Sequence, residues 1–124
     1  MKRAFLILAT GIIGLSACNR QNDRIKDFIP GTYVNSAKGE YAQAEDTLII
    51  MPVKDNAYLI TRNTTYQAIR DGKLLPKHHQ ERKLNGLYDQ QRQVLNEITN
   101  GRIFSFDPDK HLLKVNQATY RKIN

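Results

Sequence analysis

Along most of this chain hydrophobic and polar residues alternate, the period-two signature of strands with one buried face. Gly31-Thr32-Tyr33-Val34 opens the series. Asp46 to Val53 follows, with Leu48 and Ile50 on one face, Ile49 and Met51 on the other, and Pro52 marking an edge or an end because proline cannot donate to a ladder. Ala57 to Arg70 (AYLITRNTTYQAIR) is too rich in Thr, Tyr and Ile for a helix and reads as one long strand, with Asn63-Thr64 as its weakest point. Gln80 to Asp89 places Leu84, Gly86 and Tyr88 on one side, Val94 to Thr99 alternates again, and Arg102 to Asp107 sets Phe104 and Phe106 in phase. Leu112 to Val115 and Thr119 to Ile123 complete the series.

The intervals between these runs carry turn residues. Asp71-Gly72 and Asn100-Gly101 are hairpin signals, because both central residues of a type I′ turn need positive φ. Lys54-Asp55-Asn56 is a turn by composition, and Asp107-Pro108-Asp109-Lys110 has proline pre-set at the second position of a type I turn. Leu74-Leu75-Pro76 is an irregular passage. About eight strands over residues 30–124, joined by tight connections, predict an all-β fold built as an antiparallel meander. Closing such a meander abolishes its exposed edges, so the expected architecture is a small closed or partly open barrel. A barrel of eight strands has room for filling side chains or for one small ligand.

One stretch breaks the alternation. Lys2 and Arg3 precede an uncharged run, Ala4 to Leu15, and small residues follow at Ser16 and Ala17, which is the plan of a secretory signal. The run is about 12 residues long, against the roughly 20 a helix needs to cross a bilayer, so it is expected to be removed. Leu15-Ser16-Ala17-Cys18 closely resembles the bacterial lipobox. That resemblance implies cleavage between Ala17 and Cys18 and lipidation of the Cys18 thiol, with two or more acyl chains giving a stable anchor. The expected organisation is a leader over 1–17, a lipidated cysteine and short tether over 18–29, and the barrel over 30–124. Asn19 to Asp27 is polar and reads as a tether or a single weak helical turn, reaching at most ~30 Å. Cys18 is the only cysteine, so the domain has no intrachain disulfide and folds by core burial.

The opening Gly31 and Tyr33, the meander order and the length resemble lipocalin-like barrels, although the tryptophan of true lipocalins is missing. The wider pattern, IPGTYVN, GEYAQAEDTLII, YLITR and YQAIRDGKL, resembles small uncharacterised lipoproteins of Bacteroidota-type bacteria. That group implies a lipid-anchored place on the cell membrane or outer membrane and no activity. The acidic surface-export run of such proteins is replaced here by Asn19-Arg20-Gln21-Asn22, so the expected anchor faces the periplasm.

Charge and candidate chemistry narrow the functional classes. The formal charge of +7 includes Lys2 and Arg3, leaving +5 from Cys18 onward. The basic residues are scattered, and an exported, tethered chain is an unsuitable partner for nucleic acid. Lys73 to Lys83 (KLLPKHHQERK) is the densest basic stretch, and Lys73, Lys77, His78, His79, Arg82 and Lys83 form the candidate surface for an anionic or acidic partner. GxSxG, HExxH, Walker and GxGxxG motifs are missing. Ser105 lies between two phenylalanines, where a buried or half-buried hydroxyl is expected. His78 and His79 point to opposite faces of a strand, so no metal site and no cofactor are expected. Asp107 and Asp109 flank a proline and fit a turn better than a calcium loop.

Six tyrosines, among them Tyr33, Tyr58, Tyr66, Tyr88 and Tyr120 inside strands, fit core filling or a recognition surface. The expected role is a non-enzymatic protein-interaction module at the membrane surface, touching the membrane through lipid on Cys18 and an envelope protein or anionic surface through the barrel. The alternative is a carrier of a small apolar ligand in the barrel interior. Small barrel lipoproteins that inhibit lysozyme face a basic target, which a charge of +5 opposes.

Overall fold

The runs with the cleanest alternation become the strands. The computed structural model describes Arg20 and residues 22 to 124. The expected leader, its cleavage after Ala17 and the lipidation of Cys18 fall outside the described residues. A short helix, α1, includes Arg20 and residues 22 to 28. Nine strands follow among the described residues: β1 Gly31–Lys38, β2 Ala42–Lys54, β3 Ala57–Arg70, β4 Lys73–Leu74, β5 His78–Asp89, β6 Val94–Glu97, β7 Ile103–Asp107, β8 Leu112–Val115 and β9 Ala118–Lys122.

Eight of these strands form a closed antiparallel ring in the order β1, β2, β3, β5, β6, β7, β8, β9 and back to β1. The closing pair sets Tyr33 opposite Lys122 and Val34 opposite Arg121. Beside it the Thr32 N–H donates to the Asn124 carbonyl at 2.8 Å, and the Ile123 N–H donates to the Thr32 carbonyl at 2.9 Å. The extra strand, β4, pairs only with the end of β3.

Two hairpin signals end differently. Asp71 (φ 54°) and Gly72 (φ 75°) both take the left-handed conformation that a type I′ turn requires. At Asn100-Gly101 only Gly101 does so (φ 70°), and the connection is a longer loop. The cause is Glu97, whose buried carboxylate accepts the Thr99 N–H at 2.9 Å and the Asn100 N–H at 2.8 Å. A buried carboxylate demands donors, and the loop backbone supplies them.

Inward-facing positions fill the barrel. Tyr33, Leu48, Ile50, Ile60, Leu95, Phe104 and Leu113 are almost completely buried, with Tyr58, Tyr88 and Tyr120 beside them. Gly86 points inward at the tightest place, where an added Cβ would stand 3.0 Å from Leu95 and 3.2 Å from Ile60. Tyr66 departs from the other strand tyrosines and is 44% exposed. Ser105 also departs from expectation, lying exposed on the outer wall because Phe104 and Phe106 take the inward phase.

Helix α1 closes one end of the barrel. Ile25 and Phe28, three residues apart on one helix face, are buried together with Ile29. The Tyr33 hydroxyl donates to the Phe28 and Ile29 carbonyls at 2.8 and 2.9 Å, and Lys122 Nζ lies 4.3 Å over the Phe28 ring. So short a helix is weak in isolation. Burial of each large apolar side chain contributes about 1.5–3 kcal/mol, so docking onto the barrel decides the conformation.

Candidate functional site

Four strands outgrow the barrel at the end opposite α1. β2 and β3 stay paired from Ala42↔Ala68 to Lys54↔Ala57, and β3 pairs β5 as far as Tyr66↔His78. On the far sides the ladders are short: β6 joins β5 only from Gly86 onward, and β9 joins β1 only at Tyr33 and Val34. Residues 35–38, 42–47, 62–70 and 78–83 therefore form a four-stranded extension above the barrel mouth. Its two edges, on β1 and on β5, have no ladder partner among the described residues. The fourteen residues of β3 contain no Gly or Pro to stop them, which is why this strand runs past the ring.

The junction between barrel and extension is held by one carboxylate. Asp46 accepts Arg62 Nε at 3.2 Å and the Thr64 hydroxyl at 2.5 Å on one oxygen. The other oxygen takes Arg62 Nη2 at 2.8 Å and the Tyr120 hydroxyl at 3.2 Å. Burial pushes the Asp46 carboxyl up, but the hydrogen bonds from Arg62 and Thr64, the Arg62 charge and the Tyr120 hydroxyl outweigh it and hold the group below its ordinary range. Burial, followed by the Asp46 charge, pushes the Tyr120 phenol up to about 12. Four donors occupy the four acceptor positions of the carboxylate, so Asp46 has no free lone pair with which to act as a base. This arrangement fixes structure and positions charge. Arg82 stands directly across the ladder from Arg62 and carries a second guanidinium to the same mouth.

Asp46 and Arg62 were not legible as a site from motifs. The signal that finds them is phase: Asp46 shares the inward face with Leu48 and Ile50, and Arg62 shares it with Tyr58 and Ile60. A charged residue in phase with a buried face requires a partner.

The basic residues singled out in the sequence are divided by the strand geometry. Lys73 lies on β4, and Lys77 lies in the loop before β5. His78 and Arg82 share the inward phase of β5, where the His78 ring meets Tyr66 with centroids 6.4 Å apart. His79 and Lys83 point outward, and His79 Nδ1 lies 3.4 Å from the Thr65 hydroxyl. All six are exposed. Lys77 also borders an open groove of about 310 Å³ on the outward face, lined by Lys38, Gln43, Glu45 and Gln67 among others. One face of the extension thus carries His78 and Arg82, and the other carries Lys77, His79 and Lys83.

Nothing else in the described residues assembles into a reactive centre. His111 lies at the α1 end against Phe28, with ring centroids 6.1 Å apart, away from His78 and His79. Asp107 and Asp109 sit in the β7–β8 turn, where Asp107 accepts the Lys110 N–H at 3.3 Å and Asp109 pairs with Arg24 at 2.5 Å. No group of three or more His, Cys, Asp or Glu residues gathers as metal ligands among the described residues. Comparison with family models, with curated proteins and with solved structures finds no match to this chain.

Proposed function

We propose that this protein is a lipid-anchored lipoprotein of the bacterial cell envelope, held through Cys18 and facing the periplasm, whose barrel acts as a non-enzymatic protein-interaction module at the membrane surface. The observation that carries the interaction reading is the four-stranded extension. Among the described residues it leaves two ladder edges unpaired, and it exposes Tyr66, His78 and Arg82 above the mouth. Extended segments of a partner add to such edges as a further strand, with main-chain hydrogen bonds giving affinity and alternate side chains giving specificity. Within the extension, residues 78–83 of β5 carry His78, His79, Arg82 and Lys83 against a single acidic residue, Glu81, which favours an acidic segment. The filled interior, with Tyr33, Leu48, Ile60 and Phe104 occupying the space a ligand would need, supports this role over carriage of an apolar ligand. The anchor rests on the lipobox-like Leu15-Ser16-Ala17-Cys18.

A photo-crosslinking residue at Tyr66 or at Gln80, in the full chain in its own envelope, is expected to give one discrete adduct that Arg82→Glu removes. Correct localisation without an adduct at either position rejects the interaction role. Cys18→Ala is expected to move the protein out of the membrane fraction, and retention with an unchanged lipid label rejects the anchor.

A further inference from the structure

The outer wall of the barrel is uneven. Across the ladder Met51 stands opposite Leu59, and Leu59 opposite Asn85, whose carbonyl accepts the Ile98 N–H at 2.9 Å. In the neighbouring row Ala57 stands opposite Leu87, Leu87 opposite Asn96, and Asn96 opposite Ile103, with Val53 beside Ala57 in the bulge between Pro52 and Lys54. Met51, Val53, Leu87, Ile98 and Ile103 are each about half exposed or more, between 48% and 66%. The one charged side chain in these two rows is Lys54, the ladder partner of Ala57 at the outer end of the second row. The wall made by β8 and β9 instead turns Lys114, Thr119 and Arg121 to solvent. A contiguous exposed apolar surface marks contact with another protein or with lipid.

We propose that this belt on β2, β3, β5, β6 and β7 is the face on which the barrel lies against the lipid bilayer. The proposal rests on the anchoring of Cys18. The choice of lipid follows from where the chain leads. Asn22, in helix α1, accepts the Tyr88 hydroxyl at 3.2 Å, next to Leu87 in the belt. Cys18 is four residues before Asn22, which reaches at most ~14 Å when extended. A lipid on Cys18 therefore keeps the bilayer beside the end of β5. Charge returns at the margins of the belt, with Lys54 and Asp55 at the β2–β3 turn and Lys83 higher on β5, where cations meet anionic head groups. A cylinder touches a plane along one line, so the middle strand β5 lies lowest. Leu87 enters deepest, and Met51 and Ile103 lie shallower on either side.

The test uses the full chain, purified from its membranes and reconstituted in vesicles of phosphatidylethanolamine and phosphatidylglycerol. Single spin labels are placed through Met51→Cys, Leu87→Cys or Ile103→Cys, with Lys114→Cys and Arg121→Cys as the opposite wall. Lipid on Cys18 blocks its thiol, so intact mass reports the anchor separately. Belt labels are expected to meet oxygen and to lose access to a water-soluble nickel chelate, most at Leu87, while labels at positions 114 and 121 keep that access. Equal chelate access at all five positions in lipidated protein overturns the docking and leaves the anchor standing. A free Cys18 thiol removes the anchor, and vesicle binding of that protein then decides: binding weakened roughly tenfold by Leu87→Glu supports the belt, and no binding overturns it. Spin–spin broadening between belt labels in dilute vesicles, or shielding of the belt by a co-purified protein, also overturns it.

Discussion

The same strands behave differently along their length. At Ile50, Ile60 and Leu84, β2, β3 and β5 wall a filled barrel, whereas at Ala44, Tyr66 and His78 they stand as an open sheet. The backbone ladder is continuous through both regions, so hydrogen bonding does not separate them. Apolar burial does. The inward phase changes from Ile50, Leu48 to Asp46, Ala44 on β2, and from Tyr58, Ile60 to Arg62, Thr64 on β3, and the Asp46–Arg62 pair marks the border. Stability is concentrated below that border, and the surface above it is free to serve recognition.

The largest test of this contrast is truncation on either side. Phe104→Ala in the barrel is expected to cost about 3–5 kcal/mol in urea unfolding, whereas Tyr66→Ala in the extension costs within about 0.5 kcal/mol. Equal losses would mean that the extension belongs to the same core. At the border, Asp46→Ala leaves Arg62, Thr64 and Tyr120 without their acceptor and is expected to cost about 2–3 kcal/mol. A cost within about 0.5 kcal/mol would show that the junction is not structural. Gly86→Ala crowds Leu95 and Ile60 and is expected to cost about 1–2 kcal/mol, with Gly86→Val worse.

The smallest effects are those of pH. Asp46 is held below its ordinary 3.8, so its stabilisation is present at neutral pH and is lost as pH falls through that range. Asp46→Asn should flatten the acid limb of a melting-temperature profile. Tyr120 is pushed up to about 12 from an ordinary 10, first by burial and then by the Asp46 charge. Its contribution is full below pH 10 and is lost between pH 10 and 12, so Tyr120→Phe should make the alkaline fall shallower. Tyr33, Tyr58 and Tyr88, each also raised first by burial, contribute to the fall that remains.

Strand positions were legible because alternation is a local property. The long β3, the inward Leu84, Gly86 and Tyr88, and the Asp71-Gly72 turn all follow from neighbouring residues. Asn100-Gly101 misled because the turn type depends on the Glu97 carboxylate, whose burial is set by the ring and not by the loop. The stretch before Pro30 looked like a tether or a single weak helical turn because Ile25, Phe28 and Ile29 are few apolar residues among polar ones, and the barrel end that buries them is distant in sequence. The basic Lys73 to Lys83 stretch looked like one surface, yet the period of two sends His78 and Arg82 to one side and His79 and Lys83 to the other.

By itself, then, the sequence determined where most strands are centred, which face of each is apolar, the Asp71-Gly72 turn and that the fold is mostly β. These are short-range consequences of side-chain branching, phase and turn chemistry. Only the tertiary structure decided that four strands outgrow the ring, that Asp46, Arg62, Thr64 and Tyr120 meet at its mouth, and that Met51, Val53, Leu87, Ile98 and Ile103 join into one belt. Register and ring closure are relations between residues up to about 90 positions apart, and no local pattern carries them.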